Sequence, residues 1–138
     1  MKANLITLVV LIVGWMVVLV FFAHDVAWTP VKAAGGVIAG AGMVGVVVAR
    51  LQLGASFSVR AKAKKLVTTG VYSRIRNPIY VFGELFILGL SIVLGNWLLL
   101  LVGAALVPMQ VARARREEQV LRDAFGEEYE RYKAGTWF

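Results

Sequence analysis

Four apolar runs, Leu5 to Ala23, Ala33 to Ala49, Ile79 to Gly95 and Trp97 to Val111, constrain this chain more than any other feature. A soluble domain of 138 residues with 59% hydrophobic residues and a mean hydropathy of +0.76 cannot bury that much apolar surface. Small domains keep a large share of their area exposed. Lipid must cover the excess, so one integral membrane domain is expected over residues 1–138. A crossing helix needs about 20 apolar residues, with about 17 as the lower limit. The first run meets this length, the second and third sit near it, and the fourth falls short unless its flanks contribute. The first run also exceeds the about 7–15 apolar residues of a signal peptide, and no A-x-A site follows it. It reads as a retained helix.

Charge placement sets the expected topology. The segment from Arg50 to Arg76 carries Arg50, Arg60, Lys62, Lys64, Lys65, Arg74 and Arg76 and no acidic residue. The tail after Val111 is rich in arginine, whereas the turns at His24–Lys32 and Gly95–Asn96 carry almost nothing. The positive-inside rule therefore puts the basic loop, the tail and, with four crossings, both termini on the cytosolic side, as for a multi-pass protein of the cytoplasmic membrane. The net charge of +7 lies between apolar runs, a placement suited to anionic headgroups and not to nucleic acid. The chain has no cysteine and a single histidine, His24. This rules out disulfides, thiolate chemistry and a multi-histidine metal site, so no metal is expected.

The parts divide as helices one and two over 1–49, a basic loop over 50–77, a helical hairpin over 78–111 and a polar tail over 112–138. Asn77 and Pro78 make a good N-cap and first helical position for helix three. Gly95-Asn96 makes a tight turn between helices three and four. Pro108 is expected to kink helix four, which can continue past Val111 into the interface; Arg113 to Phe125 reads as an interfacial helix stopped by Gly126, followed by a short helical stretch over Glu127–Lys133. Gly40-Ala41-Gly42-Met43-Val44-Gly45 fits G-x-G-x-x-G but lies in an apolar helix rather than after a strand, so no dinucleotide fold is implied. With Gly36, these glycines predict a small-residue face for close helix packing. The fold class is therefore all-α: four transmembrane helices plus C-terminal interfacial helices, without a Rossmann domain.

The polar blocks Gly70–Tyr80 and Arg113–Tyr132 fall on one side of the membrane, which a shared site requires. Glu84 lies only about 9 Å along helix three from Pro78. An ionisable residue in a membrane helix usually faces a cavity or partner, although pairing with Arg74 or Arg76 explains it equally well. Arg113 and Glu117 are four apart and share a helix face; a surface ion pair is the simpler account unless both face the bundle. Tyr72, Tyr80, Tyr129 and Tyr132 read first as an interfacial aromatic belt. His24 and Asp25 read as a solvated loop pair.

The motifs Leu66-Val67-Thr68-Thr69-Gly70-Val71-Tyr72, Arg76-Asn77-Pro78-Ile79-Tyr80, Glu117-Glu118 and Phe125-Gly126-Glu127-Glu128-Tyr129-Glu130-Arg131-Tyr132 resemble, in order and spacing, the isoprenylcysteine carboxyl methyltransferase family. Phospholipid N-methyltransferases share part of the pattern. The resemblance covers about Lys64 to Lys133 and implies an integral membrane enzyme that uses S-adenosylmethionine, releases S-adenosylhomocysteine and holds the cofactor in a cytosolic-side pocket. Carried over by motif, Lys64, Lys65, Leu66, Val67 and Tyr72 would line the cofactor. Asn77, Pro78, Ile79 and Tyr80 would form a second wall, Glu117 would complete the site, and Arg113 would lie towards the methyl acceptor. Two positions depart from the family: Asn77 stands where histidine is usual, and Phe82 where glycine is usual, beside the groove in which a lipid tail would enter.

The function expected on this basis is methyl transfer to a lipid-like or prenylated acceptor, most like carboxyl O-methylation. An arginine such as Arg113 suits a carboxylate acceptor, which needs no general base. Phospholipid or amine N-methylation is the alternative; an amine must lose a proton, and Glu84 is then the candidate base or cation site. A non-enzymatic bundle packing on a membrane partner through the glycine-rich helix is the reading from outside enzymes. The residues leave the oligomeric state open.

Overall fold

The computed structural model describes residues 27–54 and 66–137. Among these residues the chain is all-helical, with no strand beyond a single bridge between Ile75 and Trp137. Helix α1 spans Pro30–Leu53, α2 Pro78–Leu94, α3 Trp97–Phe125 and α4 Glu127–Ala134, with a 3-10 turn at Gly70–Ser73. The first apolar run, Lys62, Lys64, Lys65, His24 and Asp25 lie outside the described residues.

Capping decides where these helices begin and end. Thr29 accepts from the Lys32 N–H at 3.3 Å and Pro30 opens α1, so the helix starts earlier than its apolar run. Asn77 occupies the cap position of α2, but its side chain makes no capping bond. Its carbonyl instead accepts from Tyr80 and Val81 at 3.1 and 3.2 Å. Gly95 adopts the left-handed conformation (φ 61°), and the Asn96 side chain accepts from the Leu98 N–H at 3.0 Å, closing the expected hairpin between α2 and α3.

The fourth apolar run does continue past Val111. Helix α3 runs through Pro108 as one element of 29 residues and stops, as expected, at Gly126 (φ 50°). Proline removes one N–H, which the turns on either side tolerate, and the polar half is reinforced by pairs four apart: Arg113–Glu117, Gln119–Asp123 and Glu118–Arg122.

Helices α1 and α3 are long and apolar enough to cross a membrane, and only 17% and 6% of their apolar windows are buried. A core helix of a soluble protein would be mostly buried; these direct Val37, Val44, Trp97, Leu101 and Val102 outward. Helix α2 is a shorter apolar helix between them.

Helices α1 and α2 pack through small residues, as expected, with Gly42 and Gly45 of the expected glycines in the seam and Gly40 outside it. Gly35, Ala39, Gly42, Gly45 and Ala49 are buried. Gly40, by contrast, has no neighbour within 4 Å of where a Cβ would sit. At Gly42 a Cβ would sit 2.5 Å from the Phe86 backbone nitrogen, and at Gly35 2.6 Å from Ile92. The G-x-G-x-x-G string mixes two helix faces, whereas the packing seam follows helical steps of three or four residues.

Candidate functional site

The 3-10 turn at Gly70–Ser73 forms one side of the site and is held from two directions. Gly70 has φ +64°, and the Gln52 amide leaves no room for a Cβ there. Gln52 Oε1 accepts from the Val71 N–H at 2.9 Å, tying the turn to the end of α1. From the C-terminal side, the Tyr132 hydroxyl donates to the Tyr72 carbonyl at 2.7 Å, and the Trp137 N–H donates to the Arg74 carbonyl at 3.0 Å. Leu66 is buried and Val67 half-buried beside this turn.

Two of the four tyrosines do not form an interfacial belt. Tyr72 and Tyr129 are only 7% and 2% exposed, and the Tyr129 ring tilts against Tyr132 with centroids 6.1 Å apart. Burial, with the neighbouring Tyr132, pushes the Tyr72 phenol well above its ordinary range. Burial also raises Tyr129, with the Glu118 charge adding to the effect and the Arg76 guanidinium opposing it.

Tyr80, Arg113 and Glu117 come together where α2 and α3 open towards the polar tail. The Tyr80 hydroxyl and Arg113 Nε both donate to Glu117 Oε1 at 3.1 Å. The Arg113–Glu117 pair is thus more than a surface bridge, because it ties α3 to the start of α2. Its exposure, 62% and 45% for the two side chains, leaves the cluster open to a ligand.

Beside this cluster lies a groove of about 320 Å³ between α2 and α3, large enough for part of a small-molecule ligand. Val81, Val107, Val111 and Ala114 form its apolar wall; Arg76, Asn77, Tyr80, Arg115 and Glu118 line it alongside Glu84 and Gln110. Glu84 pairs with neither Arg74 nor Arg76: it accepts from Gln110 Nε2 at 2.7 Å. Gly103 makes room for the carboxylate, since a Cβ there would sit 2.9 Å from Glu84 Oε2. Phe82 is not among the lining residues; its ring covers Gly45 of α1 instead. Pro78 is fully buried and Ile79 half-buried at the start of α2.

The site also contains groups that sequence reasoning passed over. Gln110 is the lone amide in the run from Trp97 to Val111, and that isolation was its signal. Glu118 anchors α4 through Lys133 and joins Arg122 at 3.2 Å, while Arg122 in turn bonds Glu130 at 2.6 Å. Arg76 Nε and Nη1 are buried and have no hydrogen-bond partner among the described residues. The contacts of Gln52, Tyr132 and Arg76 depend on residues distant in sequence, so no local pattern marks them.

Residues 31–128 match the phospholipid methyltransferase family. Over 91 residues the chain is 38% identical to a protein of Schizosaccharomyces pombe (strain 972 / ATCC 24843) named protein-S-isoprenylcysteine O-methyltransferase. The match covers 62% of this chain and 39% of that relative, so the chain spans well under half of the relative's length.

Proposed function

The chain belongs to the phospholipid methyltransferase family, and on that premise we propose that it transfers a methyl group from S-adenosylmethionine to a lipid-like acceptor in the membrane, most like isoprenylcysteine carboxyl O-methylation. The observation that carries this reading is the Tyr80–Glu117–Arg113 cluster, whose Tyr80 also lines a groove with an apolar wall and polar groups. An amphiphile needs such a combination, with an apolar channel for its tail and a polar end for its head.

The residues fit the cofactor. When bound, S-adenosylmethionine supplies an electrophilic methyl group on a sulfonium. In this reading Glu117 accepts from ribose hydroxyls or the amino group, and the tyrosine faces of Tyr72 and Tyr80 favour the adenine ring and the cationic sulfur. Leu66, Val67, Asn77, Pro78 and Ile79 would complete the walls in this reading, and Lys64 and Lys65, which lie outside the described residues, are assigned to the cofactor by motif alone. Arg113 gives its Nε to Glu117 and also faces the Tyr80 hydroxyl, and the other donors of its guanidinium would orient an acceptor carboxylate. Positioning then accounts for much of the rate, because methyl transfer is an in-line displacement.

Cofactor binding by the purified protein in detergent tests the assignment. Glu117→Ala and Tyr80→Ala are each expected to weaken binding about 10-fold or more, as for loss of a charge-assisted contact. Equal binding by all three proteins would sink the site; no binding by the wild type would sink the methyltransferase reading.

A second reading, amine N-methylation of a phospholipid, is favoured by one observation: the groove wall includes the carboxylate of Glu84. Glu84 could attract an ammonium headgroup and take its proton. Lipid extracts labelled by a radioactive methyl donor separate the two, since methyl esters release methanol in base and methylamines do not.

A further inference from the structure

We propose that Arg76 is the anchor for a ligand carboxylate in the groove between α2 and α3. This rests on the methyltransferase reading. Arg76 lines that groove, two residues before α2 begins, and its Nε and Nη1 are buried without a hydrogen-bond partner among the described residues. Native proteins rarely leave such donors unpaired, and a guanidinium is the costliest group to leave so.

The nearby carboxylates are already engaged. Glu118 is held by Lys133 and Arg122, Glu117 by Tyr80 and Arg113, and Glu84 by Gln110. Among the described residues the Tyr129 hydroxyl and the Glu118 charge face the Arg76 guanidinium, but neither supplies a hydrogen bond to Nε or Nη1, and that place falls to a ligand. A planar guanidinium matches a carboxylate with two parallel N–H bonds. The proposed reaction offers two carboxylates, one on the amino-acid end of the cofactor and one on a carboxyl acceptor. The orphan nitrogens are sealed from solvent, so a small rotation of the side chain towards the groove accompanies binding.

Calorimetric binding in detergent micelles tests this with two probe pairs: S-adenosylhomocysteine against its decarboxylated analogue, and an S-prenylcysteine against its carboxamide. The wild type is expected to prefer the carboxylate form of one pair by about 10–100-fold, the range of hydrogen bonds to charged groups. Arg76→Gln loses that preference and Arg76→Lys keeps part of it. The pair in which the preference is lost identifies whose carboxylate Arg76 holds.

Thermal melting of the ligand-free protein supplies a readout independent of binding. Arg76→Gln melts close to the wild-type temperature, because two of the nitrogens it removes make no hydrogen bond, and gains less on ligand addition. Wild-type binding without any carboxylate preference overturns the inference. So does a preference that survives in Arg76→Gln, or a lower melting temperature with that preference intact. A wild type that binds neither cofactor form overturns the methyltransferase reading itself, and the anchor with it.

Discussion

At the scale of single residues, Glu84 shows how a costly group is accommodated. A carboxylate facing an apolar-walled groove needs a partner, and Gln110 provides a neutral one at 2.7 Å. Glu84 thus keeps its charge available to a ligand instead of spending it on Arg74 or Arg76. Glu84→Gln preserves a hydrogen-bonding side chain of the same size and removes only the charge. If the acceptor is an amine, methylation is expected to fall about 10-fold or more, in line with loss of a general base; if it is a carboxylate, ester formation is retained. Base-released methanol and base-stable label, measured on the same extract, distinguish the outcomes. Gly103→Ala perturbs the same group from behind. Its Cβ would meet Glu84 Oε2 at 2.9 Å and Ile87 at 3.2 Å, displacing the end of a flexible side chain rather than backbone. The expected cost in stability is below about 1 kcal/mol, short of the usual overpacking penalty. Acceptor turnover should change while cofactor affinity does not, which a comparison of acceptor KM with cofactor Kd will show.

At the scale of elements, the seam between α1 and α2 depends on which glycines face inward. Gly42→Ala would put a Cβ 2.5 Å from the Phe86 backbone nitrogen and 2.8 Å from the Phe82 carbonyl oxygen. Neither atom can move without the helix, so destabilisation by about 1–3 kcal/mol or more is expected. Gly40→Ala, on the same helix, meets nothing within 4 Å and replaces a poor helix former by a good one, so stability should hold or rise by up to about 1 kcal/mol. Melting both variants in the same detergent checks the pair, and equal midpoints would mean that the two helices do not pack in this register. The contrast also explains Phe82, whose ring occupies the space left by Gly45. A side chain where the family has glycine is compensated by a glycine on the neighbouring helix, so this departure is a packing change away from the groove.

At the scale of the whole molecule, the C-terminal helix holds the turn at Gly70–Ser73 from across the fold. Lys133 reaches Glu118, and Tyr132 reaches the Tyr72 carbonyl 60 positions away in sequence. Burial and the neighbouring Tyr129 push the Tyr132 phenol up to about 12. An unfolded tyrosine ionises near about 10, so between about pH 10 and about 12 the unfolded chain gives up this proton more readily than the folded one. Stability from this group is therefore constant below that window and declines as pH rises through it. Melting midpoints from pH 8 upward should show that alkaline decline, and Tyr132→Phe should lessen it, with the raised phenols of Tyr72 and Tyr129 supplying the remainder. The same variant loses the bond to Tyr72, about 1 kcal/mol at neutral pH. An unchanged alkaline slope in Tyr132→Phe would mean that Tyr132 is not clamped in the folded protein.

These scales also mark how far the sequence could be read. Hydropathy, caps and turn chemistry act within a few residues, so the apolar helices, the Gly95-Asn96 hairpin and the stop at Gly126 were legible before any coordinates. The motif order around that hairpin likewise marked Tyr80, Arg113 and Glu117, which the fold brings to one carboxylate. The full extent of α3 through Pro108 was only partly legible, because proline's local penalty is read without the turns that absorb it. The inward face of α1, the direction of Phe82, the pairing of Glu84 with Gln110 and the unpartnered nitrogens of Arg76 were not legible. Each depends on the rotation of one helix against another or on a partner tens of residues away. Local chemistry determined that this chain makes long apolar helices with polar blocks at their ends; only tertiary packing decided which polar groups satisfy one another and which are left for a ligand.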